Sequence, residues 1–390
     1  MKLIYISPLR YPSERAGSLF SVKSCQSFAN EGVETELWIP WRRNNVFDKD
    51  IFDYYGVERN FTIRQFFAID SVRFSTKAYF LLYVSFALSV FLYTLKLCLS
   101  RKISQYIFYS HEQFALFLLT FLSRNTFYEI HDFPGKQKIY NLLFRRVSGI
   151  VTTNTWKATE LTKRFHLQKD RILKVSNAVD VSAFSLNILV TDARSKLGLP
   201  QDRYLFGYIG SLSTMGMEKG VSTAILALKF LPLQYALYVV GGEAPQDIEL
   251  YRKYAKEKDL LDRIIFAGPV AHNEVPLYAS ACDYLVAPFP DNPHYSLRMS
   301  PMKIFEYMAS KRPIITTNLP TLQEVLEGEK TALFVSPEAP EALARAIERL
   351  SQDKALGERL AENAYAEVRE KYTWQRRAKT ILSFISSRKF

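Results

Sequence analysis

The chain alternates short apolar runs with longer stretches of mixed polarity along nearly its whole length. Apolar runs of about four to eight residues bounded by turn formers read as buried strands, and a 3.6-residue period reads as helix. By that criterion Leu3 to Ser7, Glu34 to Ile39, Tyr106 to Tyr109, Thr126 to Ile130 and Ile150 to Thr153 are strands. Ser18 to Asn30 is a helix, and helical stretches follow the later strands. The rhythm breaks over Phe184 to Pro200, which ends in Leu197-Gly198-Leu199-Pro200. It resumes with strands at Tyr204 to Ile209, Ala236 to Val240, Ile264 to Ala267, Tyr284 to Ala287, Ile314 to Thr317 and Ala332 to Val335. Alternation at this spacing predicts parallel sheets covered by helices on both faces. The expected fold is therefore α/β, with two Rossmann-like, doubly wound parallel-sheet domains facing a central cleft. Ligands are expected at the carboxyl ends of the strands. The tail from Pro340 reads as charged helix.

One segment departs from this pattern. Ala78 to Leu95 carries no charge, and Lys96 follows it. Its length suits a membrane span. Ser85, Ser89 and Thr94 weaken that reading, and a buried or surface-lying helix is expected instead. The flanking Arg73, Lys77, Arg101 and Lys102 would suit a helix resting on anionic lipid.

Charge sharpens the division of the chain. Of the 390 residues, 51 are Lys or Arg and 39 are Asp or Glu, a formal net charge of +12. Residues 1–183 hold 25 basic and 15 acidic side chains (+10), and the rest hold 26 and 24 (+2). A basic first half implies an anionic membrane surface, a phosphorylated substrate or nucleic acid. No dense basic run and no zinc-finger or RNA-binding signature is present, so nucleic acid is not expected. Cys25, Cys98 and Cys282 are far apart and lack CxxC spacing, which fits a reducing, cytoplasmic setting without disulfides or zinc. Leu3 to Ile6 is only a strand's length, with Pro8 and Arg10 close behind, so no secretory leader is expected.

The stretch SPMKIFEYMASKRPII, Ser300 to Ile315, carries the most chemistry. Ser300 reads as an N-cap and Pro301 as the first helical residue. Pro301, Ile304, Phe305 and Met308 share one helical face, and Lys303, Glu306, Tyr307 and Ser310 share the next. Free N–H groups near Met302 and Lys303 would make an anion site beside the Lys303 ammonium. Glu306, one turn deeper, can accept hydrogen bonds from a vicinal diol such as a ribose. The plainer alternative is a capped helix with a Lys–Glu surface pair. A second element is Tyr204 to Ile209, ended by Gly210. A loop, Ser211 to Glu218, then leads to Lys219-Gly220 and a helix from Val221, an arrangement that can cradle phosphate without being a Walker loop. His131 lies at a strand end beside Asp132, either orienting a substrate, sharing a proton or simply held by Asp132. Gly17, in a loop bracketed by Pro8 and Pro12, either admits a phosphate or sugar or is a turn glycine. Asp48-Lys49-Asp50 reads as a solvated loop, and no metal is proposed.

These residues resemble those of retaining glycosyltransferases of family 4, which have the GT-B architecture. The resemblance spans nearly the full length. Its most specific part is Ser300 to Ile315, followed by Asn318-Leu319-Pro320, Glu324, Ala332 to Val335 and Tyr372-Thr373-Trp374. Ser176-Asn177-Ala178-Val179-Asp180, and Gly210 with Lys219-Gly220, match more weakly. The resemblance implies an acceptor-side domain over 1–183, joined by a terminal helix over 373–390, and a donor-binding domain over 184–372. It implies that Glu306 binds the nucleotide ribose, Lys219 the diphosphate and His131 the donor sugar. The Gly17 loop would line the cleft, and backbone after Ser300 would hold the phosphates. The reaction implied is metal-independent transfer from a UDP- or GDP-linked sugar, with no further cofactor, to a lipid-linked or saccharide acceptor in polysaccharide assembly. Gly17 and His131 flank Ala78 to Leu95 in sequence and must reach one cleft, so a peripheral position at the cytoplasmic membrane face is expected rather than a span. A nucleotide-sugar epimerase and a catalytically silent scaffold are the alternatives.

There are departures from the family pattern. Arg298 stands where a Glu is usual eight residues before Glu306, and Ser211 where an Arg is usual. The loop to Lys219 is longer than usual. Ala178 and Lys311 replace glycines, and Ala16-Gly17 replaces a glycine pair. Arg298 or Lys303 is expected to restore the positive charge lost at Ser211.

Overall fold

The computed structural model describes residues 1–13, 16–42, 49–70, 79–99, 103–134, 138–184, 186, 188–242 and 245–388. The chain forms two compact units, one of Met1–Ser176 with Trp374–Phe390 and one of Asn177–Thr373.

The first unit is a seven-stranded parallel sheet. Its strands are β1 (Lys2–Ile6), β2 (Glu34–Pro40), β3 (Thr62–Phe66), β4 (Tyr106–Ser110), β5 (Thr126–Ile130), β6 (Gly149–Thr152) and β7 (Ile172–Lys174). The spatial order is β3-β2-β1-β4-β5-β6-β7, with every pairing parallel. The order reverses between β1 and β4, which makes their carboxyl ends a switch point. Five of these strands match the apolar runs. The pattern missed β3, whose Thr62, Arg64 and Gln65 are not buried, and β7, which has three residues. Both lie at sheet edges, where one face and one side stay wet and the apolar signal fades.

The closing helix Trp374–Ser386 belongs to the first unit. It buries Ala378, Ile381 and Ile385 in the core that also contains Leu3, Tyr5 and Val22. Its Arg377 is buried and forms an ion pair with the fully buried Glu129 of β5. Tyr109 Oη donates to the same carboxylate at 2.6 Å. A Cβ at Gly149 would come within 2.6 Å of the Phe384 ring, so a larger residue on β6 there would force that ring to move.

The second unit holds β8 (Tyr204–Ile209), a hairpin of β9 (Ser213–Thr214) and β10 (Met217–Glu218), then β11 (Tyr235–Val240), β12 (Ile264–Gly268), β13 (Tyr284–Ala287), β14 (Ile314–Thr317) and β15 (Leu333–Val335). Its main sheet has the order β12-β11-β8-β13-β14-β15, again all parallel. The fold is thus two Rossmann-like domains, as the alternation predicts. The hairpin falls inside Ser211 to Glu218, read from sequence as plain loop. Met215 (φ 51°) and Gly216 (φ 74°) both sit in the left-handed region at its tip, the backbone of a tight two-residue hairpin.

The apolar segment is a 21-residue helix, Tyr79–Leu99, with mean hydropathy 1.8. It buries Leu82, Phe86, Ala87, Val90 and Thr94 in the first unit. Ser85 Oγ accepts from Ile69 N at 2.9 Å, and Ser89 Oγ donates to Phe67 O at 2.8 Å. Ala78 and the flanking Arg73, Lys77, Arg101 and Lys102 lie outside the described residues.

Candidate functional site

The second unit gathers Gly210, Ser211, Lys219, Ser300, Lys303 and Glu306 at the carboxyl end of its sheet. The helix Met302–Ala309 is capped by Pro301, one residue later than predicted, and no side chain caps it. Ser300 is therefore not the N-cap. Its carbonyl accepts from Asn177 Nδ2 at 2.6 Å, while its Oγ is buried without a partner. The helix bears on β8 through Tyr307, whose buried hydroxyl accepts from Ile209 N at 2.8 Å and donates to Ile209 O at 3.1 Å.

Lys303 is not a surface residue. It is 7% exposed, and its Nζ has no hydrogen-bond partner. The ammonium lies 3.7 Å from the Tyr208 ring centroid, a cation–π contact. Gly210 makes room for it, since a Cβ there would stand 3.1 Å from Lys303 Cε. Burial holds the Lys303 pKa well below its ordinary value of 10.5, and the neighbouring Lys219 charge depresses it further, against Glu306. The surface Lys–Glu pair is thus not what the helix carries.

Lys219 follows the hairpin, and its Nζ donates to Ser211 Oγ. Its backbone N donates to Leu212 O at 3.1 Å. Gly220 turns the chain at φ 89°, and a Cβ there would strike Pro288 O at 1.8 Å. At the start of the helix that follows, Val221–Ala227, Glu218 accepts from Ser222 Oγ at 2.5 Å and, at 3.4 Å, from Ser222 N. Glu306 keeps one oxygen 3.1 Å from His272 Nε2. His272 was not singled out from sequence, because nothing in its spacing links it to a residue 34 positions away. Arg298 ends a π-helical turn, His294–Arg298, and is exposed. Met302 is partly exposed at the helix start.

The first unit gathers a different set at its switch point. His131 follows β5, and its Nε2 lies 3.8 Å from Glu129 Oε1, so its nearest carboxylate is Glu129 rather than Asp132. Lys157 Nζ donates to the His131 carbonyl. The Phe20 ring meets the imidazole edge-on at 4.6 Å, and His111 does so at 5.5 Å. Burial first, then the Lys157 and Arg377 charges, lower the His131 pKa to about 3. His111 is lowered to about 3 by burial and by His131. Both imidazoles are therefore neutral hydrogen-bonding groups near neutral pH. Gly17 lies in the first turn of Ala16–Asn30, exposed and with ordinary φ, so no positive-φ turn explains it. Close by, a cavity of about 790 Å³ is lined by Pro8, Ser18 and His111 among others. Among the described residues, no group of three or more His, Cys, Asp or Glu side chains is placed to hold a metal. Asp50 caps Ile51–Tyr55 and pairs with Arg59 at 2.9 Å, and Asp48 lies outside the described residues.

Residues 203–353 match the family model described as Glycosyl transferases group 1. The whole chain has the GT-B fold. It superposes on sucrose-phosphate synthase from Thermosynechococcus elongatus with a TM-score of 0.78, at 19% identity over 99% of this chain and 98% of that one. Anabaena HepE in complex with UDP-glucose gives 0.75, at 17% identity over 99% and 100%. In sequence, the chain is 23% identical over 202 residues to TuaH of Bacillus subtilis, a putative teichuronic acid biosynthesis glycosyltransferase, covering 50% of this chain and 48% of that one. The chain spans roughly half to three fifths of the length of the first curated relatives it matches, 58% and 48%.

Proposed function

We propose that this protein is a glycosyltransferase that moves a sugar from a nucleotide-sugar donor to an acceptor hydroxyl in polysaccharide assembly. One observation carries the reading. A buried, unpartnered ammonium, Lys303, lies near a second, Lys219, at the start of a helix whose first N–H groups no side chain caps. A buried charge without a counter-charge costs several kcal/mol. An anion entering there relieves the repulsion between the lysines and takes up the helix N–H groups. A nucleoside diphosphate supplies such an anion.

In this reading Lys219, Lys303 and the Ser300–Met302 backbone hold the diphosphate. Glu306, steadied by His272, accepts from the ribose hydroxyls. Gly210 keeps space for Lys303, and Arg298 adds charge at the rim. These fixed cations stabilise the departing diphosphate electrostatically, the role a metal fills in other transferases. The first unit takes the acceptor side, while its Gly17 and neutral His131 keep the donor-side roles that the family resemblance implies. Retention of configuration follows from the family resemblance, and the relative named for teichuronic acid biosynthesis supports a polysaccharide product.

Thermal-shift titration against UDP-, GDP- and ADP-sugars tests the reading. Ligand at a hundred times its Kd stabilises by about 2.7 kcal/mol. A shift with one nucleotide family, abolished by Lys303→Met, is expected. No shift with any of them would remove the reading, and interconversion of the free sugar nucleotide without acceptor would replace it by epimerisation.

A further inference from the structure

The cavity in the first unit is not accounted for by nucleotide binding. Its lining includes Arg10, Arg42, Ser13 and Ser18, with Ser18 Oγ donating to Arg10 O at 3.0 Å. Arg42 gives its Nε to Asp70 at 3.2 Å, and its terminal N–H groups meet no hydrogen-bond partner among the described residues. The one acid in the lining, Glu112, has both oxygens occupied by Phe114 N and Ala115 N at 2.7 Å. The lining also holds four aromatic residues, Tyr79, Phe80, Tyr83 and Phe114. Phe80 and Tyr83 meet Phe114 edge-on at 6.0 and 6.4 Å. A chamber lined by both arginines and aromatic rings suits a phosphate joined to an apolar chain.

Three of these rings, Tyr79, Phe80 and Tyr83, stand on the first turns of the helix Tyr79–Leu99, and Phe114 on Gln113–Leu119. Leu81, Leu88, Leu92, Leu95 and Leu99 are all exposed, Leu92 by 63% and Leu99 by 82%. At 100° per residue they fall within an arc of about 60°, opposite the buried stripe. Phe91 and Val84 continue from the sector of Phe80 toward this face. Such a continuous apolar face is what a monomeric protein rarely leaves bare. Its charge setting is one-sided. Between residues 71 and 111 the sequence holds Arg73, Lys77, Lys96, Arg101 and Lys102 and no Asp or Glu. That combination complements an anionic bilayer surface.

We propose that this cavity binds the phosphate head of a lipid-linked acceptor, whose hydrocarbon chain passes over Phe80 into a bilayer on which the Leu81–Leu99 face rests. The acceptor role rests on the glycosyltransferase reading, whereas the lipid-phosphate site does not. The helix lies along the membrane and does not cross it, because Leu82, Phe86, Val90 and Thr94 are committed to the protein core.

The test is flotation of the full-length protein with three vesicle types. These are phosphatidylcholine alone, phosphatidylcholine with phosphatidylglycerol, and phosphatidylcholine with a long-chain polyprenyl phosphate at matched surface charge. Binding at least tenfold tighter to the polyprenyl phosphate vesicles is expected. Arg42→Gln should erase that preference. Leu88→Asn with Leu92→Asn, both on the exposed face, should weaken binding to all vesicles at least tenfold. Circular dichroism and melting temperature check that each variant folds. Equal binding to both anionic vesicle types would overturn the head site, as would no binding at all. A reversible dimer in sedimentation velocity that the double Asn variant abolishes would assign the face to a second copy and overturn the docking. Nucleotide thermal shift run in parallel separates the two ideas: lipid binding without nucleotide binding removes the enzyme reading, and the reverse removes this site.

Discussion

At the scale of single residues, Lys303 decides the most. In the range between its depressed folded value and 10.5, the unfolded chain binds more protons than the folded one. Stability of the free protein therefore rises with pH across that window. An anion in the site favours the charged form, so nucleotide binding takes up protons and weakens as pH rises. Calorimetry of UDP binding in two buffers of different ionisation enthalpy, repeated across the pH range below 10.5, should show net proton uptake that grows as pH rises, and none in Lys303→Met. The same variant should weaken UDP binding about a hundredfold. It should also stabilise the empty protein by about 1–3 kcal/mol in urea titration, because an apolar chain replaces an unpaired buried charge. A neutral effect on both quantities would leave Lys303 as packing only. His131 makes a different prediction. With its pKa near 3, it contributes no ionisation to the rate between pH 5 and 8. His131→Asn, which keeps a hydrogen-bonding side chain, should retain more turnover than His131→Phe.

At the scale of elements, the helix Gln113–Leu119 hangs on one carboxylate. Glu112 accepts from two of its first N–H groups, yet burial raises the Glu112 pKa to about 7. Its folded value exceeds the unfolded value of 4.5, so the folded state holds the proton longer. The contribution is complete below pH 4.5 and is lost as pH rises toward 7, a change of up to about 3 kcal/mol. Glu112→Gln should flatten the difference in melting temperature between pH 4.5 and 7 while keeping part of the cap. What the sequence disclosed at this scale follows the same physics. Strands buried on both faces, such as β5, announce themselves as unbroken apolar runs. The half-wet β3 does not. The hairpin inside Ser211 to Glu218 escaped notice because its two strands have two residues each. SPMKIFEYMA was legible as a helix bearing Lys303 and Glu306. The depth of Lys303 was not, since helical spacing gives a face but not what lies against it. His272, Glu129 and Arg377 were illegible for a plainer reason: each works through a partner brought near only by folding.

At the scale of the whole molecule, the chain passes between the two units at Ser176/Asn177 and again at Thr373/Trp374. Inside the second unit these ends are held side by side, because Val179 N donates to Tyr372 O at 2.9 Å and Val179 pairs with Thr373 in a parallel bridge. A fragment of residues 177–373 therefore has closed ends and its own apolar cores. It should fold alone and bind UDP within about threefold of the full chain, because every group assigned to the diphosphate and ribose lies within it. The first unit behaves oppositely. Deleting residues 374–390 removes Arg377 and leaves the Glu129 carboxylate buried without its ion pair, which costs about 3–5 kcal/mol before the loss of Ala378, Ile381 and Ile385 is counted. A protein ending at Thr373 should lose the melting transition of the first unit while keeping that of the second, with its UDP-induced shift. If calorimetry instead shows both transitions intact, the closing helix is an accessory. The division of labour would then have to be sought in the loops at the carboxyl ends of the two sheets rather than in the way the chain returns to its first domain.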